Sequence, residues 1–281
     1  MYIIYMFECI IVGDTGSGNE DQIKVAESME ELIHKNKSIS SVIIVGDNIY
    51  PDGCNDIHDE EFNTKFRDIY ENIDLPFYLC LGNHDYHNNA QSQIEYTYSQ
   101  YNRDKKWNMP KQWYTQSFPH CDMFFIDTNF YQFPESVIQK QLSDTIKSIK
   151  NSKKRWKILC GHHTWRSVGG HGNAEPRHEE FMDNLLKYID IDIYICGHDH
   201  CKSLIHVGKY NIPTLVIGTG GKNYDDKLVF LDKTKYDNSQ LDFFSPNLGV
   251  CHMKCDNKKL TLTCYNESLQ KEYSISSIKI I

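Results

Sequence analysis

Short apolar runs alternate with longer amphipathic segments along most of the chain. The runs are rich in β-branched and aromatic residues and end in Gly, Asp or Asn, which is typical of buried strands that stop at tight turns. The predicted strands comprise residues 8–12, 42–45, 77–81, 123–127, 157–160, 191–196 and 214–217. Between them, apolar positions at helical spacing predict helices over residues 21–35, 60–72, 90–101, 134–150 and 176–188.

Strands that alternate with helices indicate an α/β fold with a largely parallel or mixed sheet. Pro134 and Pro176 support two of the helix starts, because proline suits the first turn of a helix. After Leu248 the pattern changes to three strands joined by short polar turns, over residues 250–254, 260–265 and 272–280. No repeat, low-complexity tract or flexible linker interrupts the chain, so we expect one domain over residues 1–281.

Composition excludes several classes of protein. The 281 residues include 30 Lys and Arg against 38 Asp and Glu, and the net charge of −8 argues against a nucleic-acid partner. No apolar run approaches the ~18 residues of a membrane span, so we expect no membrane association. The 13 His, 10 Cys and 18 Tyr all carry side chains that bind metals, so a metal site is the first chemistry to look for.

The first twelve residues are apolar but do not have the pattern of a signal peptide. They lack a basic region, contain Glu8 and continue into Gly13-Asp14 without a small-residue cleavage site. We interpret them as a first β-strand and expect a cytoplasmic, reducing location. The ten cysteines form no Cys-x-x-Cys pair, and the sequence leaves open whether any of them form a disulfide.

Candidate chemistry lies at five predicted strand ends, where a glycine is followed at once by Asp, Asn or His. The carboxyl ends of strands in an open α/β sheet meet in one crevice. A single such turn is common, but five of them favour a shared site, and mixed oxygen and imidazole donors suit Zn, Mn or Fe. The motifs are Gly13-Asp14, Gly46-Asp47-Asn48-Ile49-Tyr50, Gly82-Asn83-His84-Asp85, Gly161-His162-His163 and Gly197-His198-Asp199-His200.

The order Asp, Asp-x-x-Tyr, Asn-His, His, His-x-His resembles the binuclear metallophosphoesterases and, within them, the purple acid phosphatases. Tyr50 carries this distinction, because it follows Asp47 by three residues, where that subgroup has a phenolate ligand to iron. Further segments resemble the small tartrate-resistant members, and the resemblance runs from about Val12 to Gly221. It implies a four-layer α/β/β/α sandwich of two mixed β-sheets flanked by helices.

The resemblance also implies a ligand set for two metal ions, Fe(III) and a divalent Fe, Zn or Mn. The iron site would comprise Asp14, Tyr50, His200 and a bridging Asp47. The second site would comprise Asp47, Asn83, His162 and His198. His163 adjoins His162, and the spacing leaves either able to reach a metal, although the resemblance favours His162. A reducing compartment would favour a di-ferrous, Zn or Mn centre.

The implied activity is that of an acid phosphatase, a phosphoric monoester hydrolase in which a metal-activated hydroxide attacks the substrate. His84 and His171 match histidines beside the substrate in that family, with roles in stabilising the phosphate and protonating the leaving group. Asp85 is assigned to orienting the ring of His84. The substrate would be a small-molecule phosphomonoester or a phosphoprotein.

Two other functions stay open at this point. One is a phosphodiesterase or nucleotide hydrolase of the same superfamily, and the other is an inactive phosphatase fold that serves as a scaffold. The complete ligand set argues against the scaffold. The oligomeric state does not follow from the sequence, and the family's members are often secreted or lysosomal, in contrast to the expected cytoplasmic location.

Overall fold

The structure is a computed structural model that describes residues 6–222 and 238–278. Its α-helices are α1 (Glu20–Lys35), α2 (Ala90–Tyr96), α3 (Glu135–Asn151) and α4 (Pro176–Leu186). Its first seven strands are β1 (Phe7–Val12), β2 (Ile39–Val45), β3 (Phe77–Cys80), β4 (Trp107–Asn108), β5 (Tyr114–Ser117), β6 (Cys121–Phe125) and β7 (Trp156–Cys160). The others are β8 (Ile193–Cys196), β9 (Lys202–Val207), β10 (Ile212–Ile217), β11 (Gln240–Ser245), β12 (Gly249–Cys255), β13 (Lys259–Asn266) and β14 (Lys271–Ile278).

The strands form two mixed sheets. The first has the order β14-β13-β12-β1-β2-β3-β4, with β1 to β4 parallel and the C-terminal strands antiparallel. The second has the order β11-β9-β10-β8-β7-β6-β5, with β6, β7, β8 and β10 parallel. In each sheet, parallel neighbours therefore bring several carboxyl ends to one edge.

Three buried clusters show how the layers stack. Along β1, Ile10 and Val12 pack into a cluster with α1 and α2, whereas Cys9 and Ile11 face the space between the sheets. A third cluster joins the second sheet to α3 and α4. This alternation buries both faces of β1 and yields helix, sheet, sheet and helix layers. The predicted four-layer α/β/β/α sandwich is confirmed.

Helix α1 shows why its bounds are readable from the sequence. The side chain of Asn19 caps the helix by accepting a hydrogen bond from the backbone N–H of Gln22 at 3.0 Å. Glu20 and Asp21 occupy the first turn and His34 and Lys35 the last, which suits the helix dipole. The predicted range of 21–35 differs from the observed helix by one residue.

Two predicted helices are wrong in extent. Residues 60–72 contain only a short π-helical segment, Asn63–Arg67, and helix α2 ends at Tyr96 rather than at residue 101. Beyond α2, the Ser99 hydroxyl and the Asn102 amide bond local backbone groups and so compete with helical hydrogen bonds. Strands β4, β5, β9 and β11 were not predicted, because they are short or partly polar.

All ten cysteines are buried as free thiols, so the structure pairs none of them in a disulfide. Among the helices in the described residues, none is both long and apolar enough to cross a bilayer. The start of the predicted first strand, residues 1–5, lies outside the described residues, and β1 itself begins at Phe7.

Candidate metal centre

The predicted metal ligands converge where strands of both sheets end. Asp14, Asp47 and Asn83 follow β1, β2 and β3 of the first sheet. From the second sheet, His162 follows β7, and His198 and His200 follow β8. The candidate centre is thus built between the carboxyl edges of the two sheets.

The backbone is strained at three of these positions. Asp14, Asp47 and His198 have positive φ values of 58°, 51° and 70°, which non-glycine residues rarely adopt. Each such residue costs ~1–3 kcal/mol, and such strain concentrates at functional sites, where the surrounding structure holds it in place. The turns that carry the candidate ligands therefore have a conformation that local preference alone would not select.

The glycines at the strand ends leave room for the carboxylates. A Cβ atom on Gly82 would lie 2.2 Å from Oδ1 of Asp47, and one on Gly197 would lie 2.3 Å from Oδ2 of Asp14. Both distances are well below van der Waals contact. Glycine is therefore required at these positions because a carboxylate from a neighbouring strand end approaches the backbone directly.

One group of donors surrounds the phenol of Tyr50. Its hydroxyl oxygen lies 3.0 Å from Oδ1 of Asp14, 2.8 Å from Oδ2 of Asp47 and 3.2 Å from Nε2 of His200. Nε2 of His200 in turn lies 3.4 Å from Oδ1 of Asp14. The structure thus brings together the four residues that the resemblance assigns to the iron site.

A second group surrounds His162 on the other side of Asp47. Nε2 of His162 lies 3.3 Å from Oδ1 of Asp47 and 3.1 Å from Oδ1 of Asn83. Its Nδ1 donates to the carbonyl of Val45 at 2.9 Å, which fixes the ring as second-sphere bonds do in metal sites. The ring of His198 lies 5.1 Å away between centroids. Asp47 directs one oxygen to each group, as a bridging carboxylate must.

The donor set fits metal ions. One ligand atom each from Asp14, Asp47 and His162 lie within 4.8 Å of one another, and all three residues are buried. Carboxylate, phenol, amide and imidazole groups suit borderline metals such as Fe, Zn and Mn. Two buried carboxylates at this spacing repel each other, so a cation between them is electrostatically favoured.

The close packing of these ionisable groups shifts their pKa values. Burial and the carboxylates of Asp14 and Asp47 raise the pKa of Tyr50 above its usual range. Burial alone would raise the pKa of Asp47, but the charge and hydrogen bond of His162 outweigh it and lower that pKa. Burial disfavours the charged form of His162, yet the two carboxylates prevail and raise its pKa to about 10. Asp47 and His162 therefore form a buried ion pair in the metal-free protein.

His162 and His163 point in different directions. His162 points its Nε2 at Asp47, whereas Nδ1 of His163 lies 2.8 Å from Oγ1 of Thr128. The ring of His163 packs 4.5 Å from that of His198. Burial, followed by the neighbouring histidines, lowers the pKa of His163 and keeps its ring neutral. His163 is thus placed in the wall beside the candidate centre.

His84 lies at the candidate centre, but its expected contact with Asp85 is absent. Its backbone N–H donates to Oδ1 of Asp47 at 3.0 Å, and its Nδ1 donates to the carbonyl of Pro51 at 2.6 Å. Asp85 is buried beneath the turns and accepts hydrogen bonds from Asn48, Ile49, Gly82 and Gln93. The assignment of Asp85 to orienting His84 is therefore wrong. The carboxylate of Asp85 bonds those four residues, and the ring of His84 bonds the carbonyl of Pro51 instead.

His171 lies at the rim of the candidate centre. Its ring stacks on that of His198 with centroids 4.1 Å apart, and its backbone N–H donates to Oδ1 of Asp199 at 2.7 Å. Asp199 is fully buried behind the turn. Each predicted non-ligand histidine therefore contacts a candidate ligand: His84 contacts Asp47 through its backbone N–H, and His171 contacts His198 through its ring.

Two features of this region were not predicted from the sequence. Lys222 places its ammonium 3.6 Å from the centroid of the Tyr50 ring, a cation–π arrangement. Lys222 follows Gly220 and Gly221, which come shortly after β10. Glycines after a strand mark the five predicted motifs as well, so the same pattern could have drawn attention to this turn. The second feature is the support of Asp85, whose carboxylate accepts hydrogen bonds from the side-chain amides of Asn48 and Gln93. Gln93 lies within helix α2, where no sequence motif marks it as part of the site.

Comparisons with known proteins identify the family to which the sequence is similar. A family model described as Calcineurin-like phosphoesterase matches residues 8–202. Purple acid phosphatase 17 of Arabidopsis thaliana is 32% identical over 236 residues, which is 76% of this chain and 68% of that protein. Human tartrate-resistant acid phosphatase type 5 is 29% identical over 182 residues, 57% of this chain and 54% of that protein.

Solved structures share the fold at lower identity. The structure titled "GAP50 the anchor in the inner membrane complex of Plasmodium" has a TM-score of 0.82 at 21% identity, over 98% of this chain and 90% of that one. Purple acid phosphatase PPD1 from yellow lupin seeds has a TM-score of 0.70 at 16% identity, over 96% of this chain and 53% of that one. The chain therefore belongs to the calcineurin-like phosphoesterase family and, within it, to the purple acid phosphatases.

Proposed function

We propose that the protein is an acid phosphatase that hydrolyses phosphomonoesters at a binuclear metal centre. The observation that carries the proposal is the position of Asp47, whose two oxygens face two different donor groups. Only one group contains a phenol, that of Tyr50, so the two ions would have different ligands. Acid phosphatases among its relatives support the reaction class.

Seven residues would hold the ions, and their charges explain the choice of metal. Two carboxylates and a phenolate supply three negative charges, which suits Fe(III) beside a divalent Fe, Zn or Mn. When bound, such a pair supplies Lewis acidity to the phosphate and activates water for in-line attack. The proposed ligands are Asp14, Asp47, Tyr50, Asn83, His162, His198 and His200.

His84 and His171 would bind the phosphate and transfer a proton at the opening. The Pro51 carbonyl holds Nδ1 of His84, so its Nε2 is the atom available to the substrate. His171 sits over His198 at the exposed edge, where the departing alcohol would leave. We assign proton donation to the leaving oxygen to His171 and phosphate stabilisation to His84. The substrate would be a small-molecule phosphomonoester or a phosphoprotein.

Elemental analysis combined with substrate comparison tests the proposal. The purified protein should hold two metal ions and hydrolyse p-nitrophenyl phosphate much faster than bis(p-nitrophenyl) phosphate. Faster turnover of the diester would favour a phosphodiesterase, and no turnover with two ions bound would favour a scaffold. Asp47→Ala should lose both ions, and retention of both would exclude Asp47 as the bridge.

The visible spectrum tests the iron assignment separately. A phenolate on Fe(III) gives a charge-transfer band, so Tyr50→Phe should remove that band while the fold persists. Tyr70→Phe is the matched control, because Tyr70 is an equally buried phenol that contacts Gln22 instead. A colourless wild type that is fully active with Zn would refute Fe(III) without refuting phosphatase activity.

A further inference from the structure

A groove of about 770 Å³ lies beside strand β5, between that strand and helix α3. The segment that leads into β5 forms part of the same wall, and Trp113, Tyr114 and Phe124 supply aromatic surface. None of the seven candidate metal ligands is among the described residues that line it. The groove is therefore a surface feature that the proposed function does not use.

Strand β5 is an edge of the second sheet. In the part of the chain that the structure describes, β6 is its one hydrogen-bonded neighbour. Just beyond β5, the backbone N–H of Phe118 donates to the carbonyl of Cys121 at 2.9 Å. Hydrogen-bonded and non-hydrogen-bonded pairs alternate along an antiparallel ladder, so Thr115 and Ser117 direct their backbone groups away from β6. Such an unpaired edge is a template for an added strand.

The outward edge of β5 is open. Thr115 and Ser117 are exposed, and neither backbone N–H has a hydrogen-bond partner among the described residues. The carbonyl of Ser117 accepts a hydrogen bond from the side chain of Gln116 at 3.3 Å, an exposed contact that a strand can replace. Thr115 and Phe124, its neighbour across the ladder, both line the groove. A strand added to β5 would thus run along the groove, with alternate side chains directed towards α3.

The groove carries a net positive charge, although the protein as a whole has a net charge of −8. Lys111, Lys140 and Lys147 line it, and Asp144 is the one carboxylate among the described lining residues. Lys140 pairs with Asp144 at 2.8 Å, and the indole N–H of Trp113 donates to the same oxygen at 3.2 Å. Asp144 therefore offsets one of the three lysine charges and leaves the other two to attract an anionic partner.

We propose that this groove docks an extended, acidic segment of a partner protein, which adds as a strand to the free edge of β5. Backbone hydrogen bonds to Thr115 and Ser117 supply affinity in this mode of recognition, and the lysines select acidic side chains. Apolar side chains of the segment pack on Trp113. A short, lysine-rich edge also discourages aggregation, but that role requires no groove beside the strand. The proposal is independent of the phosphatase function, because no candidate ligand takes part.

Fluorescence anisotropy with a labelled peptide, Glu-Val-Glu-Thr-Glu-Val-Glu-Thr, tests the proposal. The measurement is made at low salt, where surface charges are screened least. The wild type should bind this peptide in preference to one with Lys in place of each Glu. A third peptide keeps the acidic sequence but has N-methyl groups on its central backbone nitrogens, so it cannot pair fully with a strand and should bind more weakly.

Thr115→Pro tests strand addition without changing any charge. The N–H of Thr115 takes no part in the ladder with β6, and proline is tolerated where the N–H of an edge strand faces solvent. We expect binding of the acidic peptide to weaken about tenfold. Thr115→Val, which keeps the N–H, should bind like the wild type. Thermal unfolding checks that both variants fold, and the N-methylated peptide decides the question if Thr115→Pro does not.

Lys111→Gln and Lys147→Gln test the charge selection. Each should weaken binding of the acidic peptide by about twofold to fivefold at low salt. Lys24→Gln is the matched control, because it removes one exposed lysine from helix α1, which packs on the other sheet. It should leave the affinity unchanged, and an equal loss in all three variants would show that only the net charge of the protein matters and would refute the groove as the site.

Hydrogen–deuterium exchange locates the bound peptide. The amides of β5 should exchange more slowly in the complex, and unchanged exchange there would refute strand addition. No binding of the acidic peptide, or equal binding of its lysine counterpart, would also refute the proposal and would leave the lysines as protection of the edge. If a single-stranded oligonucleotide binds as tightly and displaces the peptide, the lysines attract polyanions in general and an acidic protein segment is not the specific partner.

Discussion

At the scale of single residues, the candidate centre contains an ion pair between two of the candidate ligands, which the types of the ligands alone do not predict. Asp47 and His162 are buried against each other at 3.3 Å, with a lowered and a raised pKa respectively. Without metal ions, the positive charge of His162 neutralises part of the negative charge of the buried carboxylates. If His162 is a ligand as we propose, metal binding displaces its proton, because only the neutral imidazole binds a metal.

The stability of the metal-free protein should fall as the pH rises above neutrality. The pKa of His162 is about 10 in the folded protein against 6.5 for the model group, so the folded state binds the proton more tightly. That contribution is complete below about pH 6.5 and is lost as the pH rises towards 10, with a slope of at most ~1.4 kcal/mol per pH unit. Urea unfolding of the chelator-treated protein between pH 6.5 and 9.5 measures it.

His162→Asn provides the comparison for this slope. The variant cannot hold the proton, so its unfolding free energy should vary less with pH over the same range. Metal-loaded wild type should likewise show no such loss, since the proton has already left. An identical slope in wild type and variant would mean that another group is responsible.

At the scale of elements, the strand ends are the units that build the site, and glycine determines how closely they approach. Gly82→Ala should displace the Asp47 carboxylate, because the new Cβ would lie 2.2 Å from its Oδ1 and 2.3 Å from its backbone nitrogen. We expect loss of bound metal together with a destabilisation of a few kcal/mol, as for other overpacked sites. Elemental analysis and urea unfolding measure the two effects.

Gly172→Ala is the matched control for this substitution. Gly172 has a φ of +74°, but a Cβ there would meet no atom within 4 Å. It therefore carries the backbone cost of a left-handed alanine without the clash, and we expect about 1 kcal/mol of destabilisation with both metals retained. Equal metal loss in both variants would show that backbone strain, not crowding, is the cause.

The sequence predicts those parts of the site that have a local signal. Each strand end combines an apolar run, a glycine and a polar side chain, so the turns that carry the candidate ligands are readable in order. The choice of individual ligands within those turns rests on the family resemblance. The partners of Asp85 are not readable, because Asn48 and Gln93 reach it through the tertiary fold. His178, on helix α4, is buried and neither of its ring nitrogens has a hydrogen-bond partner in the structure. The amphipathic sequence of that helix does not predict this. Strand β5 was also missed, because it lies half exposed at a sheet edge and so lacks an apolar run.

At the scale of the whole molecule, the cysteines belong to the packed interior. All ten are buried as free thiols, and burial raises the pKa of several of them, including Cys9, Cys80 and Cys160. Since the thiolate is the reactive form, the native protein should react slowly with a thiol reagent such as 5,5′-dithiobis(2-nitrobenzoate). In denaturant, all ten should react. Rapid labelling of native protein, or fewer than ten thiols when unfolded, would contradict this packing.

A buried ion pair links the two sheets. Nζ of Lys202, on β9 of the second sheet, is fully buried and lies 2.8 Å from Oε2 of Glu272, on β14 of the first. It also donates to the carbonyls of Asn247 and Leu248, just before β12. This lysine therefore joins β9 of the second sheet to β14, the edge strand of the first.

Removing that carboxylate should destabilise the protein. Glu272→Gln leaves a buried ammonium without a counter-charge, which typically costs ~3–5 kcal/mol. Urea unfolding should show a lower midpoint at an unchanged slope. The double variant Lys202→Met and Glu272→Met should lose less, because it removes the buried charge as well. Glu31→Gln breaks an exposed pair with Lys35 and should cost at most ~1 kcal/mol, so an equal loss in both single variants would show that burial does not set the effect.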